Sequence, residues 1–254
     1  MAAPYILIEN TWKSVQTQTY DVVVLPWGAT EAHNYHLPFG TDIIETEFIA
    51  RKAAGKAWDK GIKVVVLPSI PFGVNTSQLD IFMTMNMNPS TQIKILEDVL
   101  SSLSMHGITK LVILNGHGGN DFKIIIRELQ PRYPEIFIVQ LNWFEVVPLD
   151  HFFEAGGDHA NEMETSVMMQ IAPDLVLPLK EAGPGKARQF KFSARKEGWV
   201  WFPRAWTRVT KDTGIGDPAK ATAEKGLKYL EAITDKISAF FGELALTSVD
   251  DIYE

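Results

Sequence analysis

The sequence predicts an α/β fold with three layers (α/β/α), in which a mostly parallel central sheet lies between two layers of helices. Four apolar runs rich in β-branched residues are typical of buried parallel strands: Val22–Pro26, Lys63–Pro68, Lys110–Asn115 and Ile136–Leu141. Segments with helical periodicity lie between these runs, and such alternation is typical of βαβ units. The 254 residues contain no linker-like stretch, so we expect one domain over residues 1–254.

The helices are predicted from apolar spacing and from residues that stop helices. Five are expected: Ile43–Lys60, Pro89–His106, Asp121–Gln130, His159–Ile171 and Ala219–Leu244. Asn88 or Ser90 is a candidate N-cap of the second helix, and Gly107 ends it. The stretch Pro173–Pro218 is rich in Gly, Pro, basic residues and Trp. We expect it to form an irregular excursion that caps a site or joins subunits.

Composition limits the classes of function. The formal net charge of −7 argues against a nucleic-acid-binding surface, which needs clustered basic residues. The chain has no cysteine, so any bound metal must use His, Asp and Glu. No apolar run approaches the roughly 20 residues that span a bilayer, and the N-terminus lacks the basic region of a signal peptide. We therefore expect a cytoplasmic protein that binds neither nucleic acid nor membrane.

The segment Gly28–Asp42, directly after the first predicted strand, concentrates groups that bind metals. Glu31, His33 and Asp42 lie in it, and open α/β sheets place ligand crevices beyond the carboxyl ends of their strands. Each residue alone could be structural, since Asp42 could cap the helix that follows. Together they suit Zn²⁺ or Mn²⁺, with Fe²⁺ as a third option. His36 is either another ligand or a group that orients one.

A second cluster follows the third predicted strand. His117 lies in the glycine-rich turn Asn115–Asn120. A dinucleotide-binding turn, G-x-G-x-x-G, would need glycine at Asp121, so that pattern fails. The glycines instead allow close approach of the backbone to a ligand or a tight turn. Two strand ends that offer metal ligands suggest one shared site.

The third cluster spans Gly156–Ser166. Asp158 could cap the predicted helix, and His159 and Glu162 are three residues apart, so they would share a helix face. That face could present a base and a ligand to one cavity, and Glu164 is expected to point elsewhere. The structural alternative is an ordinary helix start with acids in its first turn.

These clusters together resemble the motifs of the creatininase family. The first family motif is similar to G-S-x-E-Q-H-G-x-H-L-P-x-x-T-D, and Gly28–Asp42 keeps every ligand-type position. Asn115–Asn120 matches N-G-H-G-G-N, and His159–Ser166 matches H-A-G-E-x-E-T-S with Asn161 in place of glycine. Gly216–Gly226 matches a tail motif like G-D-P-x-x-A-T-x-E-K-G. The resemblance covers nearly the whole chain in order.

The resemblance implies two divalent metal ions in an α/β/α fold. Glu31 and His117 would bind one ion, His33 would bind the other, and Asp42 would bridge them. We further predict catalytic roles for His159 and Asp158. Substrate contacts are expected from Gly118, Gly119, Asn120 and His36.

The chain departs from creatininase proper at two places. Creatininase supplies a glutamate to the second ion where this chain has Gly119, and we expect Glu162 to replace it. A tryptophan before the catalytic histidine is replaced here by Ala155 and Gly156. Both departures argue against creatinine itself as the substrate.

The function implied is hydrolysis of a non-peptide C–N bond in a small cyclic or linear amide or formamide by metal-activated water. His159 would carry a proton to the leaving nitrogen. Two rivals are a non-catalytic member that binds metal and a small ligand, and a nucleotide-binding oxidoreductase. The resemblance also implies a homo-oligomer, a homohexamer, with Trp199, Trp201 or Trp206 of the loop Ala187–Thr213 between subunits. The alternative is a lid on the same subunit.

Overall fold

The computed structural model describes residues 3–253. The strands are β1 (Val22–Trp27), β2 (Val64–Val66), β3 (Lys110–Asn115), β4 (Phe137–Asn142), β5 (Gly157–His159) and β6 (Ile215–Gly216). The α-helices are α1 (Trp12–Val15), α2 (Thr41–Trp58), α3 (Pro89–Met105), α4 (Phe122–Leu129), α5 (Glu162–Ile171), α6 (Ser193–Lys196), α7 (Trp206–Val209) and α8 (Ala223–Leu246). In this part of the chain no helix is both long and apolar enough to cross a membrane.

The central sheet is parallel, with strand order β2-β1-β3-β4. Alternate side chains of β1 enter different cores, because neighbouring residues of a strand point to opposite faces. Val22 and Val24 pack with α2, α5 and α8, whereas Val23 and Leu25 pack with α3 and α4. The predicted three-layer α/β fold with a parallel central sheet is therefore confirmed.

The ends of the predicted strands and helices lie within four residues of the observed ones, and the difference at the start of α5 is the one that changes the candidate site. The prediction began this helix at His159, but His159 lies in β5 and pairs with Ile215 of β6. The helix begins at Glu162 instead, where the side chain of Asn161 accepts a hydrogen bond from the N–H of Glu164. His159 and Glu162 therefore do not share a helix face.

Asp42 does not cap α2, which was the structural alternative to its predicted role as a ligand. It lies inside the first turn of α2, and Gly40 occupies the N-cap position. The carboxylate of Asp42 is thus free to face a site rather than cap the helix, and the helix dipole favours negative charge there. The irregular excursion expected over Pro173–Pro218 is confirmed in outline, since it contains only short helical turns and the two-residue strand β6.

Candidate metal centre

The candidate site lies where β1 and β3 end. Trp27 and Asn115 are paired neighbours at the carboxyl ends of these strands, so the loops that follow leave the sheet side by side. Two glycines allow the start of α2 to approach these loops. A Cβ on Gly28 would lie 2.8 Å from the backbone nitrogen of Ile43, and one on Gly116 would lie 1.8 Å from the hydroxyl of Thr46. Small residues at these positions bring Asp42 against both loops.

Asp42 contacts histidines from both loops. Its Oδ1 lies 2.9 Å from Nε2 of His33, and its Oδ2 lies 3.0 Å from Nδ1 of His117. Oε1 of Glu31 lies 3.0 Å from the same Nδ1 of His117 and 3.7 Å from Nδ1 of His159. These five residues are at most 6% exposed, so the cluster is shielded from water.

Backbone carbonyl groups orient all three histidines. Nδ1 of His33 lies 3.1 Å from the carbonyl oxygen of Glu31, and Nε2 of His117 lies 3.1 Å from that of Val74. Nε2 of His159 lies 2.7 Å from the carbonyl oxygen of Ala32. Because a carbonyl oxygen only accepts, the facing nitrogen carries the proton. The other nitrogen of each ring faces the carboxylates, as in metal sites where an outer partner fixes the ligand tautomer.

The buried acids require positive charge beside them. Burial lowers the pKa of His33, but the carboxylates of Asp42, Glu164 and Glu31 together outweigh this effect and raise that pKa to about 10. Burial also lowers the pKa of His117, but the carboxylates of Glu31 and Asp42 outweigh it and raise this pKa well above the ordinary value. Protons on the imidazoles, or metal cations in their place, can supply this charge.

Glu164 joins the cluster. Its Oε2 accepts a hydrogen bond from the N–H of Ala160, and burial raises its pKa to about 7. Three sets of side chains each bring their donor atoms within 4.8 Å of one another. The sets are Glu31, His33 and His159; Glu31, Asp42 and His117; and His33, Asp42 and Glu164. These mixed oxygen and nitrogen donors fit zinc or manganese.

Glu162 and Asp158 lie outside this cluster, contrary to their predicted positions. The carboxylate of Glu162 bonds to Nζ of Lys225 and to the backbone N–H groups of Glu154 and Ala155. Residues two apart on a helix point in nearly opposite directions. Because α5 begins at Glu162, Glu164 faces the metal-type ligands and Glu162 does not.

Asp158 is exposed and forms an ion pair with Arg204, with 2.6 Å between Oδ2 and Nη2. Its position in β5 turns its side chain away from that of His159, because adjacent strand residues alternate. The structure gives it no contact with the candidate ligands, so the predicted catalytic role of Asp158 does not agree with its placement.

The predicted substrate-contacting residues lie around the cluster. Nε2 of His36 lies 2.9 Å from the hydroxyl of Thr165, and burial lowers the pKa of His36 to about 4. Asn120 accepts hydrogen bonds from the N–H of Val74 and from the side chain of Gln92. Gly118 is exposed, and a Cβ there would meet no atom of the described residues within 4 Å.

Gly119 has no room for a side chain. A Cβ there would lie 2.3 Å from the carbonyl oxygen of Val74 and 2.4 Å from Nε2 of His117. The glutamate that the family resemblance places here therefore cannot be accommodated without movement of this backbone.

Sequence reasoning missed two contacts of the site. Trp206 packs edge-on against His159, with ring centroids 5.2 Å apart. Gln78 donates a hydrogen bond to Oε2 of Glu31. The sequence predicts a place for Trp206 between subunits or in a lid, not beside His159, and no sequence pattern distinguishes Gln78.

The sequence profile of the creatininase family, described as creatinine amidohydrolase, matches residues 9–241. The chain belongs to the creatininase family. The predicted family membership is thus confirmed.

Solved structures and a characterised relative agree with this family. A crystal structure assigned as a creatinine amidohydrolase from Bacteroides fragilis NCTC 9343 is 44% identical, covers 100% of both chains and has a TM-score of 0.93. A creatinine amidohydrolase from Pseudomonas putida is 26% identical over 66% of this chain and 72% of its own length. Structures of a mutant creatininase of the zinc–zinc type and of a manganese creatininase are each 23% identical and cover 96% of this chain and 99% of their own. Their TM-scores are 0.78 and 0.79.

Proposed function

We propose that this member of the creatininase family is a metal-dependent amidohydrolase of a small cyclic or linear amide or formamide. The reaction is hydrolysis of a non-peptide C–N bond. The observation that carries the proposal is the position of Asp42, whose two carboxylate oxygens face histidines from different loops inside a buried cluster of acids and histidines. A shared carboxylate of this kind suits a pair of divalent ions.

Five residues would hold the two ions. Glu31, Asp42 and His117 would hold one, while His33, Asp42 and Glu164 would hold the other. Glu164 thus takes the part that the sequence assigned to Glu162. Zinc or manganese bound there would supply Lewis acidity and lower the pKa of a coordinated water.

His159 would carry the proton in this reaction. Its Nε2 is engaged by the carbonyl of Ala32, so Nδ1, which faces Glu31, is the basic nitrogen. Burial lowers the pKa of His159, and the charge of His33 lowers it further, which favours a neutral ring able to accept a proton. Nδ1 would take a proton from the attacking water and deliver it to the nitrogen as the C–N bond breaks.

Neighbouring residues keep His159 in place. Trp206 packs against its edge and donates its own indole N–H to the carbonyl oxygen of Thr213. The rings of His33 and His159 lie 4.2 Å apart, which keeps the proposed base beside the candidate ligands. The burial of these groups strengthens their electrostatic interactions with a bound amide.

Metal analysis with an activity panel tests this function. The purified protein should contain up to two divalent ions per chain and hydrolyse at least one member of a panel of cyclic ureas, lactams and formamides. Treatment with EDTA should abolish that activity, and Zn²⁺ or Mn²⁺ should restore it. Activity that is indifferent to chelation would refute the mechanism, and metal binding without hydrolysis of any amide would favour the non-catalytic alternative.

A further inference from the structure

We propose that Gln78 is a positioning residue that holds Glu31 in the orientation required to bind a metal ion. This inference rests on the proposed function, in which Glu31 is a ligand. Gln78 lies on the short 3₁₀ turn Thr76–Gln78, in the loop between β2 and α3. Neither the family motifs nor the three clusters include it.

The two oxygens of the Glu31 carboxylate have different partners: Oε2 accepts a hydrogen bond from Gln78, and Oε1 faces the histidines. Nε2 of Gln78 donates to Oε2 of Glu31, and both side chains are buried. Oε1 is therefore the oxygen that faces the imidazoles, at 3.0 Å from Nδ1 of His117 and 4.0 Å from Nε2 of His33. Without the amide donor, Oε2 would lose its buried partner and the carboxylate could rotate.

The chemistry of the two groups fixes the orientation of the amide. An ionised carboxylate only accepts hydrogen bonds, so the NH₂ end of Gln78 must face Glu31. The amide oxygen Oε1 of Gln78 is then left buried with no hydrogen-bond donor among residues 3–253, which costs free energy. Packing alone does not explain this arrangement, because methionine would fill a similar volume without an unpaired oxygen. The hydrogen bond that the Gln78 amide donates to Glu31 explains why a glutamine occupies this position.

The loop that carries Gln78 is itself tied to the site. The carbonyl of Val74 accepts from His117, and the N–H of Val74 donates to Asn120 over 3.0 Å. The N–H of Met85 donates to the carbonyl of Thr30 over 3.0 Å. This loop therefore orients one candidate ligand with a backbone carbonyl and a second with the amide of Gln78.

Zinc affinity tests the proposal, with Gln92→Met as the matched control for Gln78→Met. Gln92 is also a buried glutamine with one side-chain donor bond and an unpaired Oε1, but its partner is Asn120 rather than Glu31. The dissociation constant for Zn²⁺ is measured by competition with a chelating dye, and folding of each apoprotein is checked by circular dichroism. Gln78→Met should weaken zinc binding by roughly 10–100-fold, the usual effect of losing a partner of a metal ligand. Gln92→Met should change it less than about threefold.

The absorption spectrum of the Co²⁺-loaded protein gives a second readout, because its visible bands report ligand geometry. These bands should shift in Gln78→Met and stay unchanged in Gln92→Met. Gln78→Leu repeats both measurements if the methionine variant does not fold. Wild-type zinc affinity in either folded Gln78 variant, or an equal loss in Gln92→Met, overturns the positioning role while leaving the proposed function intact. A wild-type protein that binds no zinc or manganese overturns both.

Discussion

Asp42 is the residue whose loss should affect both proposed metal positions. Its two oxygens lie 2.9 Å from His33 and 3.0 Å from His117, which belong to different donor groups. Asp42→Ala should therefore remove metal from both positions, as measured by metal analysis after dialysis of the folded variant. Retention of two ions per chain would show that the carboxylate does not bridge them.

Glu162 and Glu164 form a matched pair for testing the second position. Glu164→Gln should lose one ion, because its carboxylate belongs to the donor group with His33 and Asp42. Glu162→Gln should keep both ions and instead lower the free energy of unfolding, on the order of 1–3 kcal/mol, because hydrogen bonds at its buried end are weakened or lost. The reverse pattern in metal content would restore the assignment that the sequence suggested.

The proton-carrying role of His159 is tested against a ligand role, because its Nδ1 lies 3.7 Å from Oε1 of Glu31 and it forms a donor group with Glu31 and His33. We expect His159→Ala to lower kcat by about 10²–10⁴-fold, the usual range for general acid–base catalysis, with metal content near that of the wild type. His106, an exposed histidine at the end of α3, provides the control variant His106→Ala. Loss of metal in His159→Ala would identify the imidazole as a ligand.

Sequence patterns predicted part of this cluster for a physical reason. Glu31, His33 and His117 follow directly after strands that neighbour each other in a parallel sheet, so strand identification alone places them at one edge. Glu164 could not be placed in the same way, because its direction depends on where α5 begins. His159 lies outside the helix because β5 pairs with the distant strand β6, and Asn161 caps the helix after it.

At the scale of elements, α2, α5 and α8 bury ionisable side chains near one another, close enough for the charges of Glu45 and Glu164 to act on Tyr229. Among the described residues 3–253, neither carboxylate oxygen of the fully buried Glu45 of α2 has a hydrogen-bond partner, and the hydroxyl of Tyr229 on α8 also lacks one. Burial raises the pKa of Glu45 well above its ordinary value of 4.5, and the charges of Glu164 and Asp42 raise it further. The helices thus favour the protonated form of this side chain.

This pKa shift predicts a pH dependence of stability in the metal-free protein. A carboxyl with a raised pKa in the folded state stabilises the fold below its unfolded pKa and loses that contribution as the pH rises through the folded value. Glu45→Gln should therefore be more stable than the wild type at pH 8, on the order of 1–3 kcal/mol, and the difference should shrink towards pH 4. Urea unfolding of both proteins in EDTA between pH 4 and pH 8 measures this difference in stability. Equal stability at pH 8 would contradict the inferred cost of Glu45.

The central sheet was easier to predict than the excursion after α5. β1 and residues 111–114 of β3 are continuous apolar runs, because both faces of the sheet are covered by helices there. Between α5 and β6, the short turns α6 and α7 are too brief to show a helical period. Their positions depend instead on contacts such as that between Thr207 and Asp80, which sequence spacing does not reveal.

At the scale of the whole molecule, charge and aromatic side chains are unevenly distributed. Residues 186–208 carry seven Lys and Arg side chains and one acidic residue, in a chain with a net charge of −7. Trp199 and Trp201 in this segment are 71% and 77% exposed, whereas Trp206 is 8% exposed and packs on His159. A second copy of the chain would offer the segment an acidic surface, which supports the expected homo-oligomer.

The two exposed tryptophans and the buried one should therefore respond differently to substitution. We expect light scattering to show an oligomer at micromolar concentration, a hexamer by family resemblance. Trp201→Ala should weaken it, because truncating a buried interface tryptophan commonly costs about 2 kcal/mol or more. Trp206→Ala should chiefly lower activity, since its ring supports His159 within the same chain.

Trp12→Ala, equally exposed but in α1, is the control for loss of a surface tryptophan. A wild-type monomer would refute the assembly, and an oligomer unchanged by Trp201→Ala would favour a segment that folds over its own site.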